Sequence, residues 1–375
     1  MNIKVITRHG PSNYGSLLQS IATIKAIEKL GHTAEIIDYQ RKDERGLSMV
    51  LTQLRQKGKY GNPLKKLAYI LVRYPIEKYA QVKFDKMRKR WLKMTKRISC
   101  YDALQELDAD VFMTGSDQVW GATMNGQYDI AYFLDFVKDG RKKVSYAGSF
   151  GKIKFDADTE KAYKEMLSKY DKIAVRENSA VNMMHDWGLS NCIGQVLDPT
   201  LLLSKEEWEA TLISQEFDKK YSAKKYILLY LIHNYPEHSA YALRFAKAHN
   251  LELIRVNPFL HQARNGGKFT CCPDVSEFLA LIKNATYMLT DSFHGTCFAI
   301  NFHVQFVELL PLNETSARNQ SILELTKLKD RIVVNYDDYS FVTNQIDYDA
   351  VDESLRFERD KSIALLEKII TTGCL

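Results

Sequence analysis

Residues 3–38 read IKVITRHGPSNYGSLLQSIATIKAIEKLGHTAEIID. Ile3-Lys4-Val5-Ile6 is a short β segment, and residues 7–16 form a loop carrying Gly10, Pro11, Asn13 and Gly15. Leu17, Ile21, Ile24, Ile27 and Leu30 then recur at helical spacing, so a helix covers about 17–30. Gly31 closes it, and 33–38 is the next strand. Strand, helix and strand in this order build a parallel sheet, because parallel neighbours need a covering crossover.

The same punctuation recurs outward from this unit. Strands at 110–114, 143–146, 171–175 and 195–197 run into Gly115-Ser116-Asp117, Ala147 to Gly151, Arg176-Glu177-Asn178 and Asp198-Pro199-Thr200. A second series follows, with strands at 226–231, 251–256, 287–289 and 305–309. Helices at 235–248, 273–283 and 296–301 alternate with them. Residues 262–268 read as a flexible loop. The chain's 375 residues exceed one comfortable core. The expected organisation is a Rossmann-like domain at 1–204 with a basic, partly helical excursion at 41–100, a second at 205–345, and a helix at 346–375 returning to the first. In such sheets ligands gather at the carboxyl ends of the strands.

Composition narrows the function classes. Hydrophobic residues make up 45% and charged residues 26%, and 21 Tyr and 17 Phe exclude a disordered chain. No targeting segment and no apolar run of membrane-spanning length is visible, so a cytoplasmic protein is expected. A net charge of +6 is too mild to indicate nucleic acid. Its excess is partly local, with eight basic residues and the single acid Asp85 between Lys83 and Arg97. Phe84, Met87 and Trp91 can share a helix face there. Two readings stay open: a solvated outer face, or a surface for an anionic membrane or acidic substrate. The second allows peripheral association with the inner membrane face. The six Cys form no C-x-x-C pair and read as free buried thiols. The Asn313-Glu314-Thr315 sequon carries no meaning in a cytoplasmic chain. No H-x-x-x-H pattern suggests a metal, and no cofactor is expected.

Three loops carry chemistry. The loop at 7–16 lacks G-x-G-x-x-G and Walker patterns. It still meets a helix N-terminus, which suits an anion or a sugar oxygen, with Asn13 and Ser16 supplying hydrogen bonds. A purely structural turn is the rival. In Gly115 to Trp120, Asp117 suits a base or hydroxyl binder and Trp120 a sugar face, against helix capping by Ser116 or Asp117. In Asp291-Ser292-Phe293-His294-Gly295, His294 can exchange a proton near neutral pH at a helix start that favours phosphate. A capping or core histidine is the alternative. Arg8, Arg176 and Arg318 have the planar fork that pairs with phosphate and carboxylate.

Several ordered pieces give a resemblance: Asn13-Tyr14-Gly15-Ser16 with Leu18-Gln19, then 115–120, Ser145-Tyr146-Ala147 with Ser149-Phe150-Gly151, Val175-Arg176-Glu177, Asp198-Pro199-Thr200 and 290–295. Together they resemble the polysaccharide pyruvyl transferases. The resemblance implies two Rossmann-like domains facing across a cleft, as in GT-B glycosyltransferases. It implies phosphoenolpyruvate as donor and a saccharide as acceptor, with lipid-linked and nucleotide-linked saccharides left open, and a pyruvate ketal as product. His294 would be the acid and Asp117 the acceptor-orienting base. Ser292, Gly295, Arg318 and Arg176 would hold the donor. Arg8, Asn13, Tyr14, Ser16 and Trp120 would line the acceptor side. Better known members place a basic residue close to the donor histidine, where this chain has Phe293 and Gly295. Arg318, Arg264 or Lys268 would then supply the charge. Two alternatives remain: a GT-B-like enzyme using a nucleotide sugar, with Glu308 available for a ribose, and a saccharide-binding protein without catalysis.

Overall fold

The computed structural model describes every residue except 42–43, 57–60, 62, 123–127, 139, 152–153, 313–315, 343 and 372–375. The sequon at 313–315 and Cys374 therefore lie outside the described residues. The chain divides into two compact units, Met1–Leu202 with Glu358–Leu375, and Leu203–Phe357.

The first unit contains β1 (Asn2–Ile6), α1 (Tyr14–Lys29), β2 (Thr33–Ile36), α2 (Gly46–Gln56), α3 (Pro63–Trp91), β3 (Val111–Thr114), β4 (Lys142–Gly148), α4 (Ala157–Ser168), β5 (Lys172–Val175), α5 (Asn178–Asp186) and β6 (Cys192–Gln195). Its sheet runs β2-β1-β3-β4-β5-β6 with every pair parallel. β1 and β3 are neighbours in space but lie on opposite sides of two crossovers. The order therefore reverses between them, and the crevice at their carboxyl ends is where a parallel sheet accepts ligands.

α1 begins three residues before its apolar stripe. Asn13 caps it, its side-chain oxygen accepting from the Ser16 N–H at 3.3 Å. A cap satisfies an orphan donor without adding an apolar residue, so periodicity does not register it. The excursion is more ordered than expected, since α2 and the 29-residue α3 fill much of it. Phe84 and Met87 face inward from α3, whereas Trp91 is only partly buried. The fully buried Arg88 donates to the carbonyls of His9 (3.1 Å) and Pro11 (3.3 Å) and to Asp85 (2.8 Å). The basic helix thus holds the loop that follows β1.

Two proposed acceptor residues belong to the core instead. Tyr14 is fully buried, with its ring 5.0 Å from that of Phe84. Trp120 is fully buried between Phe133 and Phe150, and its indole N–H donates to the Tyr132 carbonyl at 3.2 Å. A Cβ on Gly148 would lie 2.8 Å from the Trp120 ring, so this packing also requires that glycine. A buried ring cannot stack on a sugar. Large aromatics anchor cores because they bury much surface and need a polar partner only at one tip.

The second unit contains α6 (Lys205–Leu212), α7 (Gln215–Ser222), β7 (Tyr226–Tyr230), α8 (Pro236–Ala248), β8 (Glu252–Asn257), β9 (Lys268–Cys271), α9 (Val275–Lys283), β10 (Tyr287–Thr290), α10 (Phe293–Asn301), β11 (Phe306–Glu308) and α11 (Ser316–Leu325). Its sheet runs β11-β10-β7-β8-β9, again all parallel, and the order reverses between β7 and β10. The stretch at 262–268 is not a loop throughout: residues Leu260–Asn265 form a 3-10 turn, and Lys268 opens β9 opposite Ile254. Strand pairing overrides the Gly-rich, polar composition there.

α12 (Tyr348–Thr371) closes the chain. Its later part is fastened within the first unit: Leu197 N–H donates to Ser362 Oγ at 2.9 Å, Arg359 to the Leu201 carbonyl at 2.7 Å, and Lys142 to the Ile370 carbonyl at 2.7 Å. Among the described residues no helix is long and apolar enough to cross a membrane. Cys192, Cys272 and Cys297 are buried, but Cys100 is exposed and Cys271 only partly buried, so the thiols are not uniformly internal.

Replacing Trp120 by Ala should destabilise the first unit by about 3–5 kcal/mol, the usual cost of emptying an aromatic core position. A urea titration followed by tryptophan-independent circular dichroism checks this.

Candidate functional site

The second unit places its most reactive side chains at its strand-order reversal. β10 and β7 pair with Thr290 opposite Tyr230, which brings Asp291 beside the chain leaving β7. The buried Asp291 carboxylate accepts the N–H groups of Ile232 (2.7 Å) and His233 (3.0 Å) and the His233 ring Nδ1 (3.2 Å). The ring Nδ1 of the fully buried His238 lies 3.8 Å away. Burial alone would raise the Asp291 pKa, but the two histidines and the Ile232 N–H outweigh it and hold the carboxyl below its ordinary range. A carboxylate bound to Nδ1–H fixes the tautomer of His233 and leaves Nε2 as the acceptor. His233 stacks on Tyr235, with ring centroids 5.6 Å apart, and remains partly exposed.

One residue further on, Ser292 caps α10. Its hydroxyl accepts from the Gly295 N–H at 3.2 Å, and its own N–H donates to Thr290 Oγ1 at 3.0 Å. A Cβ on Gly295 would sit 2.5 Å from Thr290 Oγ1, so only glycine lets the helix approach the strand this closely. Ser292 and Gly295, expected as donor ligands, therefore satisfy one another as the cap. His294 lies in the first turn of α10 and is 6% exposed. Its ring packs edge-on to Phe293 at 5.2 Å, and the Arg318 guanidinium of α11 lies 6.0 Å from the Phe293 ring centre. The expected acid and the expected cation thus both lie beside Phe293. The positive end of the helix dipole adds to Arg318 in favouring an anion here. Arg264 and Lys268 lie on the turn before β9 and on β9 itself, and both are exposed.

Glu308, at the end of β11, does not face a ribose. It is fully buried, with one oxygen accepting from Thr296 Oγ1 and the other from Asn319 Nδ2, both at 2.6 Å. Burial pushes its pKa up from 4.5 to about 8, helped by the charge of Asp291 and opposed by those two hydrogen bonds. A protonated Glu308 can donate to Thr296 Oγ1, whose own hydrogen then reaches the Ser292 carbonyl at 3.1 Å. The carboxyl thereby braces the first turn of α10.

The first unit has a corresponding group between β1 and β3. Asp117 adopts a φ of 78°, uncommon for a residue with a side chain, and is nearly buried. It accepts from Ser16 Oγ (2.8 Å) and from the Gln118 N–H (2.8 Å). Arg8 is partly exposed and pairs with the buried Glu44 at 2.7 Å. Burial works against its charge, but Glu44 and Asp117 outweigh this and raise its pKa above the ordinary value. Asn13 spends its side-chain oxygen on the α1 cap.

Arg176 is a correction. Its guanidinium is buried in the first unit, 2.8 Å from Asp198 and 3.2 Å from Glu177. Burial alone would lower its pKa, but Glu177, Asp198 and Asp117 raise it above the ordinary value. Ser116 Oγ also reaches Asp198 (2.9 Å), and Ser149 Oγ reaches Glu177 (2.8 Å). An arginine already matched to two carboxylates braces the loops and is not a donor ligand. Sequence reasoning missed His233, His238 and Glu44. His233 could have been found as the polar residue directly after a strongly apolar strand. Glu44 and His238 sit in segments whose pattern gives no such cue. Among the described residues no group of three or more His, Cys, Asp or Glu could hold a metal ion.

Two measurements follow from this geometry. Arg176→Met leaves Asp198 and Glu177 without their shared cation and should cost about 3–5 kcal/mol in a urea titration. Glu308 binds a proton in the native state where the unfolded chain has lost it, between pH 4.5 and about 8. Its contribution is therefore complete below the unfolded value and declines as pH rises through the native one. Glu308→Gln should flatten the fall of thermal stability over that window and leave stability at pH 4 nearly unchanged.

The family model described as polysaccharide pyruvyl transferase matches residues 13–310. None of the curated proteins matches this chain. Among solved structures, UDP-GlcNAc 2-epimerase from Methanocaldococcus jannaschii is 15% identical, with a TM-score of 0.54 and 100% of both chains covered. The same enzyme in complex with UDP-GlcNAc and UDP is 16% identical, with a TM-score of 0.51 over 100% of both chains. Arabidopsis thaliana UGT89C1 complexed with UDP-L-rhamnose is 10% identical, with a TM-score of 0.51 over 100% of this chain and 99% of that one. At such identities the likeness is one of fold, two Rossmann-like units of the GT-B kind. By the family model, which spans most of the chain, the protein belongs to the polysaccharide pyruvyl transferase family.

Proposed function

We propose that the protein transfers the pyruvyl unit of phosphoenolpyruvate to saccharide hydroxyls and forms a pyruvate ketal. The observation that carries this reading is His294 in the first turn of α10, with Arg318 against the neighbouring Phe293 and the Asp291–His233 pair at the same strand-order reversal. Phosphoenolpyruvate needs a proton at its methylene carbon and positive charge around its phosphate and carboxylate. A histidine supplies the first, and an arginine with a helix N-terminus suits the second.

In balanced form, His294 protonates the methylene carbon, which becomes the methyl group. The adjacent carbon becomes electrophilic and forms a bond to the first acceptor oxygen. The C–O bond to phosphate breaks, and a second acceptor hydroxyl adds at the same carbon. One hydroxyl proton restores His294, and the other leaves with inorganic phosphate. His233, oriented by Asp291, is a second imidazole suited to relaying one of these protons. In the first unit, Asp117 with Ser16 and Arg8 is assigned to the acceptor hydroxyls. No metal or cofactor enters this scheme. The acceptor is a saccharide, free or carried on a lipid or a nucleotide.

A second reading is supported by the fold, because the solved structures above include a UDP-GlcNAc 2-epimerase and an enzyme complexed with UDP-L-rhamnose. In that reading the donor is a nucleotide sugar. The burial of Glu308 removes the acid first considered for a ribose. Calorimetric titration separates the two: pyruvyl transfer requires saturable binding of phosphoenolpyruvate, and the second reading requires binding of a UDP sugar without it.

Incubation with phosphoenolpyruvate and a saccharide panel should release phosphate and add one pyruvyl unit to an acceptor, seen by mass spectrometry. His294→Ala should lower turnover by about 10²–10⁴-fold, the usual worth of a positioned acid, with an unchanged circular dichroism spectrum. A full rate in that variant would remove His294 from the chemistry.

A further inference from the structure

The outward face of α3 is unlike the rest of the surface. Its inward side is packed through Glu77, Ala80, Gln81, Phe84, Met87 and Arg88. On the opposite side Leu64 is 78% exposed, Leu67 55%, Leu71 66% and Val72 67%. The spacing of Leu64, Leu67 and Leu71 keeps them on one stripe, and Tyr79 and Val82 continue it, also exposed. From Leu64 to Val82 the stripe is about 27 Å long at 1.5 Å per residue. Helices of soluble proteins turn such a stripe toward a core, and an exposed one of this length marks a contact surface.

Charge identifies the contact. Lys65, Lys78, Lys83, Lys86, Lys89 and Arg90 are exposed along the same helix. Its two acids are already neutralised, Glu77 by Arg73 at 2.7 Å and Asp85 by Arg88 and Arg45 at 2.8 and 2.6 Å. The outward face is therefore apolar toward its N-terminal end and cationic toward its C-terminal end, with no unpaired acid on the helix. A second copy of the chain fits it poorly. Parallel pairing sets lysine against lysine, and antiparallel pairing sets lysine against leucine. An anionic bilayer surface accepts both halves, with leucines in the acyl boundary and lysines among the phosphates.

We propose that α3 docks the protein peripherally onto an anionic membrane surface, with Leu64, Leu67, Leu71 and Val72 entering the interface and Lys83, Lys86 and Lys89 contacting lipid phosphates. This stands on the helix alone and is independent of the reaction assigned above.

The test is co-sedimentation of the full chain with vesicles of phosphatidylcholine, pure or mixed with phosphatidylglycerol. Binding to the anionic vesicles should be tighter by about ten-fold or more and should weaken as salt is raised. The pair Leu67→Glu and Leu71→Glu, and separately the triple Lys83→Glu, Lys86→Glu and Lys89→Glu, should each weaken it by about ten-fold or more. The altered side chains are exposed, and a thermal melt of each variant confirms folding. If one set fails to fold, the other decides. Equal or no binding to the two vesicle types overturns the proposal, as does anionic binding that both folded variants retain. A dimer in sedimentation equilibrium that Leu67→Glu and Leu71→Glu dissociate, without vesicle binding, overturns it in favour of self-association.

Discussion

Both units obey one constraint of parallel sheets. When the first strand of a series lies inside the sheet, the crossovers on its two sides leave in opposite directions, and the carboxyl ends of two adjacent strands open a crevice. Here those pairs are β1 with β3 and β7 with β10. Each crevice is bridged by a carboxylate from the later strand's loop. Asp117 takes the Ser16 hydroxyl, and Asp291 takes the Ile232 and His233 amides. The arrangement of catalytic candidates follows from where the backbone leaves these amides and hydroxyls exposed to a carboxylate.

Beneath the first crevice, the ordered motif fragments turn out to hold one another. Arg176 joins Asp198 and Glu177, and Ser116 and Ser149 join the same carboxylates. These residues come from four separate loops at strand ends. Breaking such a buried network leaves charges with neither water nor partner, which is why its members act together. They tie together the loops that follow β3, β4, β5 and β6, next to Asp117 with its Ser16 partner. In the second unit the buried Glu308, pushed up to about 8, braces α10 through Thr296 in the same supporting manner.

The basic segment links surface and site. Arg88 on the inner side of α3 holds the His9 and Pro11 carbonyls, while the lysines and leucines of the outer side face solvent. The helix that shapes the first loop is thus also the helix with the most distinctive exposed surface.

By itself the sequence determined the alternation of strands and helices, the placement of polar loops at strand ends, and His294 at a helix start. Those features are local: a period of two or 3.6, a glycine, a polar residue after an apolar run. Only the tertiary structure decided which polar residue faces outward. Tyr14 and Trp120 read as sugar contacts, yet packing against Phe84, Phe133 and Phe150 encloses them. Arg176 reads as a free fork until Asp198, 22 residues on, closes on it. His233 acquires its orientation from Asp291, 58 residues away, through the pairing of β7 with β10. Burial and partnership over such separations are set by strand order and packing, which no local pattern encodes.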